Sequence, residues 1–163
     1  LLDVADVRVI FSVGSLDERV WKLTETGAPS PLARLEAMQF LVENGIPAGV
    51  MMAPLLPGIS DGWESIKAVV AAAAQHGAQF LAANLLFLKP GSREWFMPLL
   101  KETYPHLAPG YAKLYPRTFA PRDYTEKVLQ LVDEERRRWR LPPITPVREL
   151  KRPQRQLQLA LTP

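Results

Sequence analysis

Residues 45–61 read GIPAGVMMAPLLPGISD, and this stretch narrows what the chain can fold into more than any other. Gly45 is a helix stop, the run from Ala48 to Leu56 is apolar and uncharged, and Pro57 and Gly58 open a loop. The run is far shorter than the roughly 20 residues of a membrane span and too poor in charge for an exposed helix. It therefore reads as a strand of a parallel sheet, covered on both faces. Ligands of α/β proteins meet the sheet at the carboxyl ends of its strands, which puts the PLLPGIS loop where chemistry is expected. Gly58 allows close approach of backbone N–H and C=O groups to a planar ligand, and a tight structural turn fits the same residues equally well.

The flanking sequence repeats the alternation. Residues 7–13, VRVIFSV, form a short β-branched strand. Ser30 then stands as an N-cap with Pro31 at the first helical position, and Leu35, Met38, Leu41 and Val42 follow at helical spacing until Gly45. After the strand at residues 48–53, Asp61 and Glu64 have the spacing of a capping box for a helix running to His76 and ending at Gly77. A third strand is expected over residues 80–88, then helices at residues 92–103, near Tyr111 and from Arg122 to about Arg140. Three strands cannot close an eight-stranded barrel. The expected class is α/β, a partial (β/α) TIM-type barrel fragment with parallel strands followed by a helical extension. Residues 1–107 make the partial barrel, 108–140 the extension, and 141–163 a basic, proline-rich tail expected to be disordered.

Composition limits the chemistry. The 163 residues are 47% apolar, enough for a domain with a real core, and no run is long enough to span a membrane. A cytoplasmic protein is expected. The chain begins at Leu1 with residues resembling the tail of a helix, which reads as a truncated start. There is no cysteine, so no disulfide, thiolate metal site or protein-ligated iron-sulfur cluster can form within these residues. The net charge of +3 hides a cluster of arginines near the C-terminus, including Arg136, Arg137, Arg138, Arg140, Arg148, Arg152 and Arg155. That cluster is either a nucleic-acid contact or a solvated helix end and tail.

Individual candidates are few. His76 and His106 are the only histidines, and neither has a second ligand at helical spacing, so structural roles are expected and metal ligands none. Asp17, Glu18 and Glu25 follow the first strand, where they would meet a ribose or amino group or simply face water. Ser12 and Ser15 can hydrogen-bond a ligand at the strand exit or form a local turn. Lys89, Pro90 and Gly91 end the third strand in a turn that suits an anion or solvent. Tyr111, Tyr115, Tyr124, Arg117 and Arg122 either line a substrate path or pack the extension. No phosphate loop or nucleophile elbow occurs, and no catalytic residue is assigned.

Taken together, FSVGSLDE, ETGAPSPLARLEAM, NGIPAGVMMAPLLPGISD and LKPGSREWFMPLLKETYP resemble the radical S-adenosylmethionine proteins related to spore photoproduct lyase, closest to the DNA repair photolyase-like branch. The likeness runs from about Val7 to Asp123. It implies a partial barrel that holds S-adenosylmethionine across its strand ends, with a four-iron four-sulfur cluster on a three-cysteine loop. Reductive cleavage of the cofactor then yields a radical that abstracts hydrogen from substrate. By resemblance Ser12 approaches the cofactor's ribose and methionyl part, Ser15 is a second candidate, and Ala53 lies against the cofactor through its backbone. Glu25 and Arg34 match recurring positions of the pattern. The cysteine loop and the Gly-Gly-Glu strand have no counterpart here. The resemblance thus implies the C-terminal part of a lyase-like enzyme, inactive alone, whose partners are its missing N-terminal half and DNA, and not a membrane. Two other readings stay open: a cluster-free half-barrel module binding nucleic acid or protein, and an unrelated barrel enzyme using Lys89 or the strand-end carboxylates.

Overall fold

The computed structural model describes residues 7–25 and 27–145. Three strands, β1 (Val9–Ser12), β2 (Ala48–Leu55) and β3 (Leu81–Leu85), form one parallel sheet in the order β1-β2-β3. Between and after them come α1 (Glu18–Thr24), α2 (Pro31–Glu43), α3 (Trp63–Gln75), α4 (Ser92–Thr103), α5 (Ala108–Leu114) and α6 (Arg122–Arg138). The protein is thus mixed α/β, and among the described residues no helix is long and apolar enough to cross a membrane. The expected tail lies mostly outside the described residues, as does the start before Val7.

Register explains which face is covered. Phe11 pairs with Val50, and Val50 with Leu81, so these side chains share one face with Val9 and Met52. That face packs on Leu35 and Met38 of α2, Ile66, Val69 and Val70 of α3, and Val128 and Val132 of α6, in one continuous core. The opposite face carries the row Ser12, Met51 and Ala82, with Ile10, Ala53 and Asn84 beside it. These residues are half-buried or exposed, Ile10 at 45%. The expectation of a strand covered on both faces therefore holds for one face only. Among the described residues helices cover a single side, and the apolar run carries no sign of which.

Several boundaries follow local chemistry. The Ser30 hydroxyl accepts from Ala33 N–H at 3.2 Å and Pro31 starts α2, as its sequence implies. The capping box expected at Asp61 does not form. Gly62 is the N-cap of α3, while the Asp61 carboxylate accepts Gly58 N–H at 2.8 Å and the Tyr124 hydroxyl at 2.5 Å. A turn donor and a distant phenol claim the carboxylate before the helix can. α1 is an unforeseen helix, capped by the Asp17 side chain on Arg19 N–H at 2.8 Å. The outer edge of β3 is partly closed, because Leu81 N–H donates to Pro142 C=O at 3.0 Å.

A second cluster sits beyond the strand ends, where α1, α4 and α5 bring Val20, Phe96, Leu100, Tyr111 and Tyr115 onto Leu56 and Leu88. The sheet itself leaves no room at Gly49, where an added Cβ would overlap the Phe80 carbonyl oxygen and ring. Gly49→Ala is expected to cost about 1–3 kcal/mol, lowering the urea midpoint without changing the slope. Gly110→Ala, which meets no heavy atom within 4 Å and lies inside α5, is the control and should leave the midpoint unmoved or slightly raised.

Candidate functional site

The serines and Ala53 singled out from the sequence lie at or just beyond the carboxyl edge of the sheet. β1 ends at Ser12, and a tight passage through Val13 and Gly14 leads to α1; a Cβ on Gly14 would stand 2.7 Å from Pro54 C=O. The exit of β1 therefore runs directly against the exit of β2. Holding it there is Arg34 of α2, whose Nη1 donates to Ser12 C=O at 2.7 Å and whose Nε donates to Pro29 C=O at 2.9 Å. Its Nη2 donates to Glu25, the residue closing α1. The two side chains are only 12% and 28% exposed, so the pair is shielded well beyond a surface ion pair.

The sequence candidates separate on this frame. Ser12 is exposed, on the bare face next to Met51, with its carbonyl taken by Arg34 and its hydroxyl facing outward from the core. Ala53 is half-buried on the same face, beyond Met51 toward the strand end, where the β2–β3 pairing slips. Ser15 is buried at 8%, and its Oγ accepts Asp17 N–H at 3.0 Å, a turn contact that leaves its proton to donate. Ser12 and Ala53 thus share a face, and Ser15 stands behind it.

The other candidates have structural partners. Asp17 caps α1 and pairs with Arg19 at 3.2 Å; the Arg19 guanidinium and N–H hold its carboxyl below the usual range. Glu18 pairs with Lys22 at 2.7 Å. His76 contacts Ala72 C=O at 2.7 Å through Nδ1, and the His106 ring meets Tyr104 edge-on. Lys89 lies over the Phe87 ring, 5.2 Å from its centroid. Arg136 and Arg138 of α6 pair with Asp133 and Glu135, and Arg122 with Glu126. Among the described residues no group of three or more His, Cys, Asp or Glu side chains is placed to hold a metal.

Beside this edge lies a cleft of about 380 Å³, walled by Pro54 near the end of β2 and Leu56 just after it, Leu86 and Leu88 after β3, and Trp95 and Phe96 of α4. A smaller void of about 10 Å³ adjoins it, lined by Ser15, Trp21, Glu25 and Ser60 and sharing Thr24, Pro54 and Leu56 with the cleft. Sequence reading missed the cleft, since its walls come from four separate segments. The exposed Trp95 within an otherwise amphipathic helix was the one signal available.

Three proteins named as uncharacterized, one from Mycobacterium bovis and two from strains of Mycobacterium tuberculosis, are each 32% identical to this chain over 127 residues. The match covers 77% of this chain and 37% of each relative. The chain spans well under half the length of the curated relatives it matches. No family model matches, and no solved structure matches significantly.

Behind the edge, the tyrosines pack rather than line a path. Tyr115 is fully buried and donates its hydroxyl to Leu86 C=O at 2.8 Å, stacking on Tyr111. Burial raises the pKa values of Tyr111, Tyr115 and Tyr124, helped in each case by the Asp61 charge. Phenols raised on folding stay protonated where the unfolded chain, with pKa near 10, has begun to ionise. Their stabilisation is complete below about pH 10 and is lost as the pH rises above it. The melting temperature should therefore fall steeply above about pH 10. Tyr115→Phe should lose about 0.5–1.5 kcal/mol at neutral pH and show a shallower alkaline decline.

Proposed function

We propose that this chain is the C-terminal part of a radical S-adenosylmethionine protein, a slice of a partial (β/α) barrel that holds the cofactor jointly with an N-terminal half carrying the iron-sulfur cluster. The observation that carries the reading is the one-sided parallel sheet, with helices on one face and Ser12 and Ala53 together on the bare face at the strand ends. A barrel wall has this arrangement, its inner face turned to ligand and to the remaining strands. The four-segment resemblance and the greater length of the relatives support it further, since well over half of each relative lies outside the match.

The residues present do not fit the cluster, because the chain has no cysteine. They fit the cofactor better. The Ser12 hydroxyl, free of the Arg34 contact that occupies its carbonyl, would meet the ribose or methionyl part. Ala53 would lie against the cofactor through its backbone, with Ser15 behind as a donor of lesser reach. When bound beside a reduced cluster, the cofactor supplies radical chemistry, while residues such as these bind, orient and exclude water. The substrate proposed from the resemblance is a DNA lesion.

Anaerobic purification of the Mycobacterium tuberculosis relative, with iron and sulfide reconstitution, tests the reading. A four-iron four-sulfur cluster seen by electron paramagnetic resonance, with saturable S-adenosylmethionine binding, is the expected result; neither cluster nor binding would contradict it. On the present chain, cofactor binding should be weak, and Ser12→Trp should weaken it at least about tenfold in calorimetry.

A further inference from the structure

We propose that the end of α6, through Arg137 and Arg140, holds the phosphate backbone of a nucleic acid. Residues 136–155 carry eight of the chain's 20 lysines and arginines but one of its 17 acids, so the rest of the chain is acidic and an anionic polymer is drawn to this stretch. The fold sorts the four arginines at the end of the helix. Arg136 pairs with Asp133 at 2.9 Å and donates to Leu141 C=O at 2.8 Å, while Arg138 pairs with the buried Glu135 and lies over the Trp63 ring. Those two serve the fold. Arg137 and Arg140 are exposed and, among the described residues, pair with no acid; the exposed Glu134, one turn back, forms an ion pair with neither.

An independent observation marks Arg140. Its φ of 55° is left-handed, the only positive φ of a non-glycine residue among the described residues. It follows the helix cap Trp139, where Arg140 N–H donates to Arg137 C=O and Leu141 N–H to Arg136 C=O, each at 3.0 Å. Glycine is the usual residue in this helix ending, because it takes a positive φ without steric cost. Arginine there gives up stability to place a guanidinium at the turn, and strained positions of this kind gather where a side chain has a task. Between the two cations Trp139 is 41% exposed, a flat ring on which a sugar or base can rest. Arginine forks match pairs of phosphate oxygens, and in sequence Arg148, Lys151, Arg152 and Arg155 follow, outside the described residues. A run of cations suits the repeated phosphates of a nucleic acid more than a single acidic side chain. α6 has 17 residues and is about 25 Å long, and Tyr124 in its first turn meets Asp61 in the loop after β2. The patch thus lies at the far end of the helix from the proposed cofactor position, and does not depend on it.

Fluorescence anisotropy of the full chain with a labelled, undamaged DNA duplex of about 30 base pairs, repeated over a salt series, tests this. Log affinity should fall linearly with log salt, with a slope of at least about 2. Arg137→Gln and Arg140→Gly should each weaken binding about three- to tenfold at low salt and lower that slope by about 1. Arg140→Gly should at the same time keep or raise the melting temperature, because glycine relieves the left-handed turn; an arginine that served only the fold would not join lost binding to kept stability. Lys113→Gln, at an exposed position of α5, is the control and should leave affinity and slope nearly unchanged. Absence of salt-dependent binding, a slope unmoved by both arginine variants, or an equal loss in Lys113→Gln would overturn the proposal. Poly-glutamate bound as tightly as the duplex would overturn it in favour of an acidic protein partner. Loss of the cofactor reading alone would leave it standing.

Discussion

The Arg34 guanidinium is the contact on which the carboxyl edge of the sheet depends. β1 is an outer strand of the sheet, and the Ser12 carbonyl, turned away from β2, accepts from Arg34 instead of a ladder partner. The same side chain holds Pro29 C=O and the Glu25 carboxylate, so one cation joins the end of β1, the end of α1 and the approach to α2. The planar fork of arginine suits this, because its five donors point in fixed directions. Lysine would reach one partner and leave the others wanting. Thr24, which lines the cleft, immediately precedes Glu25, so the cleft wall is set by the same tie.

A one-sided parallel sheet has a physical consequence. Sheets of this kind are ordinarily covered on both faces, because crossover helices and neighbouring strands bury them. Here α2, α3 and α6 build a dense core on one side, while Ile10, Ser12, Met51 and Asn84 remain accessible on the other. The bare face is mixed in character, with serine and asparagine among apolar side chains. Such a surface suits a polar ligand lying between protein layers more than a purely apolar docking face. The proposed cofactor position and the apolar cleft then divide the edge by chemistry: hydroxyl and backbone groups near Ser12 and Ala53, aromatic and aliphatic walls near Trp95.

Local signals were legible where short-range chemistry decides. Ser30 and Pro31 announced the start of α2, and the helix at Ser92–Thr103 has the bounds its pattern suggested. The strand cores also match their pattern, but β1 and β3 are shorter and β2 longer than the sequence implies, because pairing, not propensity, sets strand limits. α1 escaped notice because its seven residues, ERVWKLT, looked like charged loop. The local spacing at Asp61 misleads because its partner Tyr124 lies 63 positions away, beyond any local pattern. Arg34 and Ser12 are 22 positions apart and joined through a backbone carbonyl, which carries no sequence signature. Candidate residues could thus be named from sequence, but their division into a bare face, a buried turn and an ion-paired tie required the fold.

A double-mutant cycle on Arg34 and Glu25, followed by urea unfolding, tests the central dependence most directly. Arg34→Ala, Glu25→Ala and the double variant should show a coupling above about 1 kcal/mol, with Arg34→Ala the costlier single change because it also strands Ser12 C=O. Hydrogen exchange should speed at residues 13–15 in both single variants if the tie holds the strand exit. Additivity within about 0.5 kcal/mol, with unchanged exchange at those residues, would contradict the account.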